Sequence, residues 1–211
     1  MVEAGKALPG KSHEAGAYGE QRRFVGLESF IIQRRVKAAD RALMRLITIK
    51  KAPQVLELGC GFHGANLRYL RKRFPEASFR GIDLRVDKSS APDGVELIEA
   101  NLTTWQPDVR YDCVLSLAVA EHFVDIPQHF RLVSQSLSDG GMAVVTTPKP
   151  EAHFVLSVAS ALGIFDRESI RDHKLYLTRS GIETLAGQAH LEVIEYHSIL
   201  MLNQCCILVR G

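Results

Sequence analysis

Residues 54 to 64, Gln-Val-Leu-Glu-Leu-Gly-Cys-Gly-Phe-His-Gly, constrain the fold of this chain more than any other stretch, because an apolar run turns through glycines into a helical pattern. Val55, Leu56 and Leu58 are strand formers, while Gly59, Gly61 and Gly64 permit positive φ and close approach of the backbone to a ligand. A strand, a loop and a helix in this order aim the loop amides and the helix N-terminus at polar ligand groups. A second apolar run, Phe79 to Ile82, ends at Asp83, 19 positions after Gly64, where a carboxylate can accept hydrogen bonds from ribose hydroxyls. These residues imply a ribose-bearing cofactor without naming it.

Gly59-x-Gly61-x-x-Gly64 with Asp83 also fits a dinucleotide fingerprint, so hydride transfer is one reading. Glu57 tilts against it. A carboxylate two residues before the first glycine can receive the ammonium of an amino-acid moiety and would repel a pyrophosphate. NAD carries no such ammonium, whereas S-adenosylmethionine does. Neither a Tyr-x-x-x-Lys motif nor a separate substrate domain is present to support a dehydrogenase.

The stretch Glu57-Leu58-Gly59-Cys60-Gly61 is followed in order by Gly81-Ile82-Asp83-Leu84, Glu99-Ala100-Asn101-Leu102, Tyr111-Asp112-Cys113-Val114-Leu115-Ser116, Glu121-His122 and Asp139-Gly140-Gly141. With these motifs the chain resembles the class I S-adenosylmethionine-dependent methyltransferases from about residue 50 to its end. The resemblance implies an α/β fold: a Rossmann-like, doubly wound, mostly parallel seven-stranded sheet with a C-terminal antiparallel hairpin and an N-terminal helical cap. It implies S-adenosyl-L-methionine as cofactor, with Glu57, Gly59, Cys60 and Gly61 at the methionine end and Asp83 on the ribose. Leu84 would pack on the adenine face, Asn101 and the Leu102 amide would meet the adenine, and the backbone at Leu117 and Ala118 would face the methionine amino group. Two positions depart from the family. His63 stands where a third glycine is usual, so the loop is one residue longer or differently turned. Asn101 replaces an acidic residue, though an amide can still accept from the adenine amino group.

A chain of 211 residues with 46% apolar residues suits one domain with an ordinary core. Residues 1 to 20 are rich in glycine and alanine without apolar period and read as flexible, 21 to 50 as the helical cap, and 51 to 211 as the methyltransferase domain. No long apolar stretch and no signal peptide is seen, so the expected location is cytoplasmic. Cys60, Cys113, Cys205 and Cys206 have neither zinc-ligand nor disulfide-framework spacing and read as reduced thiols used as small hydrophobes; no metal site is expected. Charge is uneven: residues 1 to 52 carry 11 basic against 5 acidic side chains, the remainder 15 against 19. The basic helical region, Leu27 to Ile49, reads as one long or two short amphipathic helices. Its basic face is either solvated or drawn to an anionic acceptor or a membrane surface.

Pro53 and Pro75 bracket the first strand and the helix Ala65 to Phe74. Strands are expected at Val95 to Ile98, Val114 to Leu117 and Met142 to Thr146. A helix is expected from Ile126 to Leu137, with Ser138-Asp139-Gly140-Gly141 as its C-cap and turn. Ser180 and Glu183 are spaced as a capping box for a helix ending at Gln188. Leu191 to Tyr196 and Cys205 to Val209 read as the closing strand pair.

Oxygen methylation benefits from a base, and two histidines are candidates. His122 lies just beyond the fourth strand, where open α/β sheets place their sites. His173 lies in a segment that resembles the acceptor border of small-molecule, lipid and glycan methyltransferases. Residues 151 to 178 are expected to cover the acceptor side, and their apolar content favours a small-molecule or amphipathic acceptor. Nucleic acid is a poor fit, since no Asn-Pro-Pro-Tyr or Asp-Pro-Pro-Tyr follows the fourth strand, although the basic helix keeps RNA as an alternative. A non-catalytic module that binds the cofactor is the other rival.

Overall fold

The N-terminal basic region is a single helix, α1 (Val25–Ile49), rather than two. Val36, Ala39, Leu43 and Leu46, three or four positions apart, are buried against the sheet, while Lys37 and Arg41 face outward. The computed structural model describes residues 25–150, 177–199 and 203–210, with side chains from Val36 onward. Among the described residues no helix is long and apolar enough to cross a membrane.

The glycine stretch joins β1 (Gln54–Leu58) to α2 (Ala65–Arg73), and β2 (Ser78–Asp83), β3 (Val95–Glu99) and β4 (Tyr111–Leu117) follow. Then come α3 (Ile126–Ser136), β5 (Leu137–Pro148), α4 (Arg179–Gln188), β6 (Leu191–Ile199) and β7 (Asn203–Arg210). The strands form one seven-stranded sheet in the order β3-β2-β1-β4-β5-β7-β6. β1 to β5 pair in parallel, and β7 runs antiparallel to both β5 and β6, as expected for the C-terminal hairpin. Every residue of β4 is buried, the signature of a strand covered on both faces.

Two apolar layers cover the sheet. Val55, Phe79, Leu97, Cys113 and Leu115 meet α1 and α2 on one face; Leu56, Leu58, Ile82, Val114 and Val145 meet α3 and α4 on the other. The strand order reverses between β1 and β4, so the crevice opens where Leu58 and Leu117 end their strands. All four cysteines are free and buried, and burial pushes the Cys205 and Cys206 thiols up to about 12, so they are neutral packing groups.

Asp112 ties the opposite edge together. Its carboxylate accepts from the Gln54 amide at 2.8 Å, from Lys50 Nζ at 2.9 Å and from Ser138 Oγ at 3.2 Å. It thereby joins the end of α1 to β1, β4 and β5.

Two local expectations are corrected. α3 ends at Ser136, and Leu137 is already strand, paired with Tyr111; Gly140 at φ 74° then turns the chain inside β5 instead of capping the helix. Burial of Leu137 beside β4 outweighs the continuation of the helical pattern. The N-cap of α4 is Thr178, not Ser180: Thr178 has extended backbone angles and its Oγ1 accepts from the Gly181 amide at 3.1 Å. Glu183 is engaged by Arg179 at 2.8 Å, so no capping box closes.

Candidate functional site

At the carboxyl end of β1 the backbone crosses three left-handed glycines, Gly59 at φ 70°, Gly61 at 72° and Gly64 at 57°. Gly59 is doubly required, since a Cβ there would lie 2.5 Å from Val119 Cγ2, beyond β4. The Gly59 and Cys60 amides donate to the Ile82 carbonyl, and Gly61 donates to Asp83 Oδ2 at 2.8 Å. The loop is therefore held to the end of β2 by backbone and by the carboxylate expected on the ribose. His63 extends the turn: Gly64 bonds back to the Gly61 carbonyl and becomes the left-handed N-cap of α2. The His63 ring lies 3.3 Å from Ser90 Oγ and 3.7 Å from Asp87 Oδ2, packing the loop against the β2–β3 connection.

Glu57, pointing from β1 into the α1 and α2 layer, is fully buried. Its Oε1 accepts from Asn66 Nδ2 at 2.7 Å, while Oε2 has no hydrogen-bond partner among the described residues. Burial pushes its carboxyl up to about 7, opposed by the Asn66 bond and reinforced by the negative charge of Asp83. A buried carboxylate with one bare oxygen is a site short of a cation. The neighbouring Cys60 thiol is pushed above its ordinary range by burial and by the Glu57 and Asp83 charges, and it stays neutral.

Across the crevice, Ala118 adopts φ 63°, a left-handed conformation rare for a residue with a side chain. Its amide donates to the Thr146 carbonyl and to Thr146 Oγ1, both at 3.0 Å. The strained turn bends the backbone after Leu117 at the mouth of the crevice. A one-turn helix, Ala120–His122, follows and leaves His122 exposed and Glu121 buried. Beneath it, His129 of α3 is buried with Nε2 2.7 Å from Ser116 Oγ and with its ring edge-on to Phe123 at 5.0 Å. Burial pushes this imidazole down to about 4, so it is neutral.

After β3, Asn101 Oδ1 accepts from the Thr103 amide at 3.0 Å and from Thr103 Oγ1 at 2.8 Å. Both acceptor positions of this oxygen are thus taken by the local turn, so the expected acceptance from the adenine amino group is corrected, and only the Nδ2 donor remains. Leu102 is half-buried behind it. Leu84 is 63% exposed after β2, Phe62 49% exposed in the glycine loop and Val124 87% exposed after the His122 turn. All three follow carboxyl ends of strands. His173 and the expected acceptor cover, residues 151 to 178, lie almost wholly outside the described residues, with only Leu177 and Thr178 among them.

Glu57 at the end of β1, Gly59, Cys60 and Gly61 in the loop and Asp83 at the end of β2 come together, with Leu117 and Ala118 at the end of the neighbouring β4. Sequence reasoning missed Asn66 and Thr146, the side chains that hold Glu57 and Ala118. Asn66 had one signal, a polar residue beside Leu67 in the first buried turn of a helix; Thr146 had none.

The sheet order with an antiparallel seventh strand, and an acidic residue ahead of the glycine loop, define a Rossmann-like methyltransferase fold. The methyltransferase domain family matches residues 30–196, and the chain belongs to this family, the class I S-adenosylmethionine-dependent methyltransferases, whose cofactor is S-adenosyl-L-methionine. Among curated relatives, a trans-aconitate 2-methyltransferase of Afipia carboxidovorans is 31% identical over 113 residues, 51% of this chain and 43% of that protein. An (S)-coclaurine N-methyltransferase of Papaver somniferum is 25% identical over 111 residues, 48% of this chain and 31% of that one. The matched region thus spans less than half the length of these relatives. Among solved structures, the magnesium protoporphyrin IX methyltransferase of Synechocystis PCC 6803 with bound S-adenosylhomocysteine superposes with a TM-score of 0.66 at 14% identity, covering 92% of this chain and 91% of that one. The plantazolicin methyltransferase BpumL gives 0.65 at 16% identity, covering 88% and 87%.

Proposed function

We propose that this protein transfers a methyl group from S-adenosylmethionine to an oxygen of a small-molecule, lipid or glycan acceptor. The observation that carries the reading is the buried, half-satisfied Glu57 carboxylate set against a glycine loop that is itself bonded to Asp83. When bound, the cofactor supplies a methyl on a positively charged sulfur, an electrophile that needs no further activation.

The protein's own task is then to place, to neutralise and to keep dry. Glu57 would meet the ammonium, Asp83 the ribose hydroxyls, and Leu84 an adenine face, with Asn101 and Leu102 at the adenine edge. The bent backbone at Leu117 and Ala118 would close the methionine end from the β4 side. His122, exposed on the turn beyond β4, is suited to accept the proton of an acceptor hydroxyl, and His173 is the second candidate for that role from the sequence. The exposed Phe62 and Val124, beyond the carboxyl ends of β1 and β4, support an acceptor with an apolar body. The relatives' names, trans-aconitate and coclaurine, support a small molecule in general and fix neither acceptor nor atom.

The test is calorimetric titration with S-adenosylhomocysteine and, separately, NADH, on the wild type and on Asp83→Ala. Binding of the thioether nucleoside alone, weakened at least about tenfold by the substitution (about 1.4 kcal/mol), supports the cofactor site. NADH binding in its place would sink the reading. A screen of phenols, quinones, carboxylic acids and glycans would follow. His122→Ala is expected to lower turnover about a hundredfold or more while leaving nucleoside affinity unchanged.

A further inference from the structure

Asn66 belongs to no cofactor motif, yet it donates the only hydrogen bond that Glu57 accepts among the described residues. It sits in the first turn of α2, nine positions after Glu57, and reaches back to the strand at 2.7 Å. Glu57 is wholly buried, with Leu115 of β4 and Gly81 of β2 as its strand partners. Among the described residues, the titratable groups that act on it are Asp83 from β2 and the Cys60 thiol from the loop, and neither is a cation. Among the described residues no cation meets this carboxylate in the free protein; the Asn66 amide hydrogen-bonds it without cancelling its charge, and a proton is the remaining means.

We propose that Asn66 is a positioning residue that fixes one oxygen of Glu57 and sets how readily it holds a proton, so that arrival of the cofactor's ammonium expels that proton to solvent. The inference rests on the cofactor reading above and goes past it by making binding proton-linked. The geometry gives the direction: the ammonium and a proton compete for the same bare oxygen, and the amide bond favours the charged carboxylate. With Glu57 at about 7 in the free protein, roughly nine-tenths of a proton is available at pH 6 and about one-tenth at pH 8. Removing the Asn66 donor moves that profile to higher pH. A residue that merely packs α2 against β1 would change stability and leave the profile in place.

The experiment is titration of the full chain with S-adenosylhomocysteine at pH 6, 7 and 8, each in two buffers of different ionisation enthalpy, which counts protons released per ligand bound. Glu57→Gln subtracts any proton exchanged elsewhere. The expected result is release that approaches one proton at pH 6, falls to little at pH 8, and vanishes in Glu57→Gln. In Asn66→Ala the release at pH 8 should grow several-fold. Asn66→Asp provides a second variant, since an acidic residue suits a helix first turn and two carboxylates at this distance must share a proton. Binding without proton release at pH 6 in the wild type would overturn the linkage, and a profile unmoved in both Asn66 variants would overturn the role of Asn66. Absence of any binding would instead remove the cofactor reading on which both stand.

Discussion

Gly59 and Gly61 share a left-handed φ yet differ in what surrounds them, and that difference can be measured. At Gly61 a Cβ would meet nothing within 4 Å, so Gly61→Ala costs only the backbone strain, about 1 kcal/mol. At Gly59 the same strain is joined by a 2.5 Å clash with Val119, and the β4 turn behind it has to give way. Gly59→Ala is expected to cost about 2 to 3 kcal/mol and to lower nucleoside affinity more than Gly61→Ala does. Urea unfolding of the two variants, read beside their affinities for S-adenosylhomocysteine, checks the order; equal losses would refute the Val119 contact. The glycines, Glu57 and Asp83 were legible in the sequence because their spacing along one strand-loop-helix unit is itself the motif. Asn66 and Thr146 were not. Each acts across elements, from α2 to β1 and from β5 to the β4 turn, and no local spacing announces such a contact.

The start of α4 shows the same limit one level up. Ser180 and Glu183 have capping-box spacing, and Thr178 with Gly181 has an equally short spacing that no rule favoured. The sheet decides between them. Gln204 at the head of β7 donates to the Leu177 carbonyl at 2.5 Å and to Thr147 Oγ1 at 3.2 Å, while its own carbonyl accepts from Tyr196. With Leu177 pinned there, the chain turns at Thr178, whose hydroxyl meets the Gly181 amide, one of the free amides of the first turn. Thr178→Ala is expected to cost about 1 kcal/mol, and Ser180→Ala a few tenths. Chemical denaturation of the two variants separates the assignments, and a larger loss at Ser180 would restore the capping box. The strands were easier to place. β1 to β4 were located to within a few residues from apolar runs between breakers, whereas the early start of β5 at Leu137 depended on pairing with Tyr111.

Across the whole molecule, two buried groups on opposite faces of the sheet give the free protein an unusual stability profile. Glu57 is raised from 4.5 to about 7 and lies among the residues facing α1 and α2; His129 is lowered from 6.5 to about 4 and lies in the layer with α3. Between pH 4.5 and 6.5 the folded state holds a proton at Glu57 that the unfolded chain has lost, so this group makes stability fall as pH rises. Over the same interval the unfolded chain holds a proton at His129 that the folded state excludes, so this group makes stability rise. The two slopes, each about 1.4 kcal/mol per pH unit, cancel. The wild type, free of cofactor, is therefore expected to show no net slope from this pair in that window, and then a decline through pH 7 as Glu57 ionises. Glu57→Gln should unmask the histidine, with stability rising by about 2 to 3 kcal/mol from pH 4.5 to 6.5 relative to the wild-type curve. His129→Leu should unmask the glutamate and fall by a similar amount. Urea midpoints across this range for the three proteins provide the check. Parallel curves would mean that neither group is protonated differently by folding, and the half-satisfied carboxylate at the centre of the site would then be charged with the Asn66 amide as its one partner among the described residues.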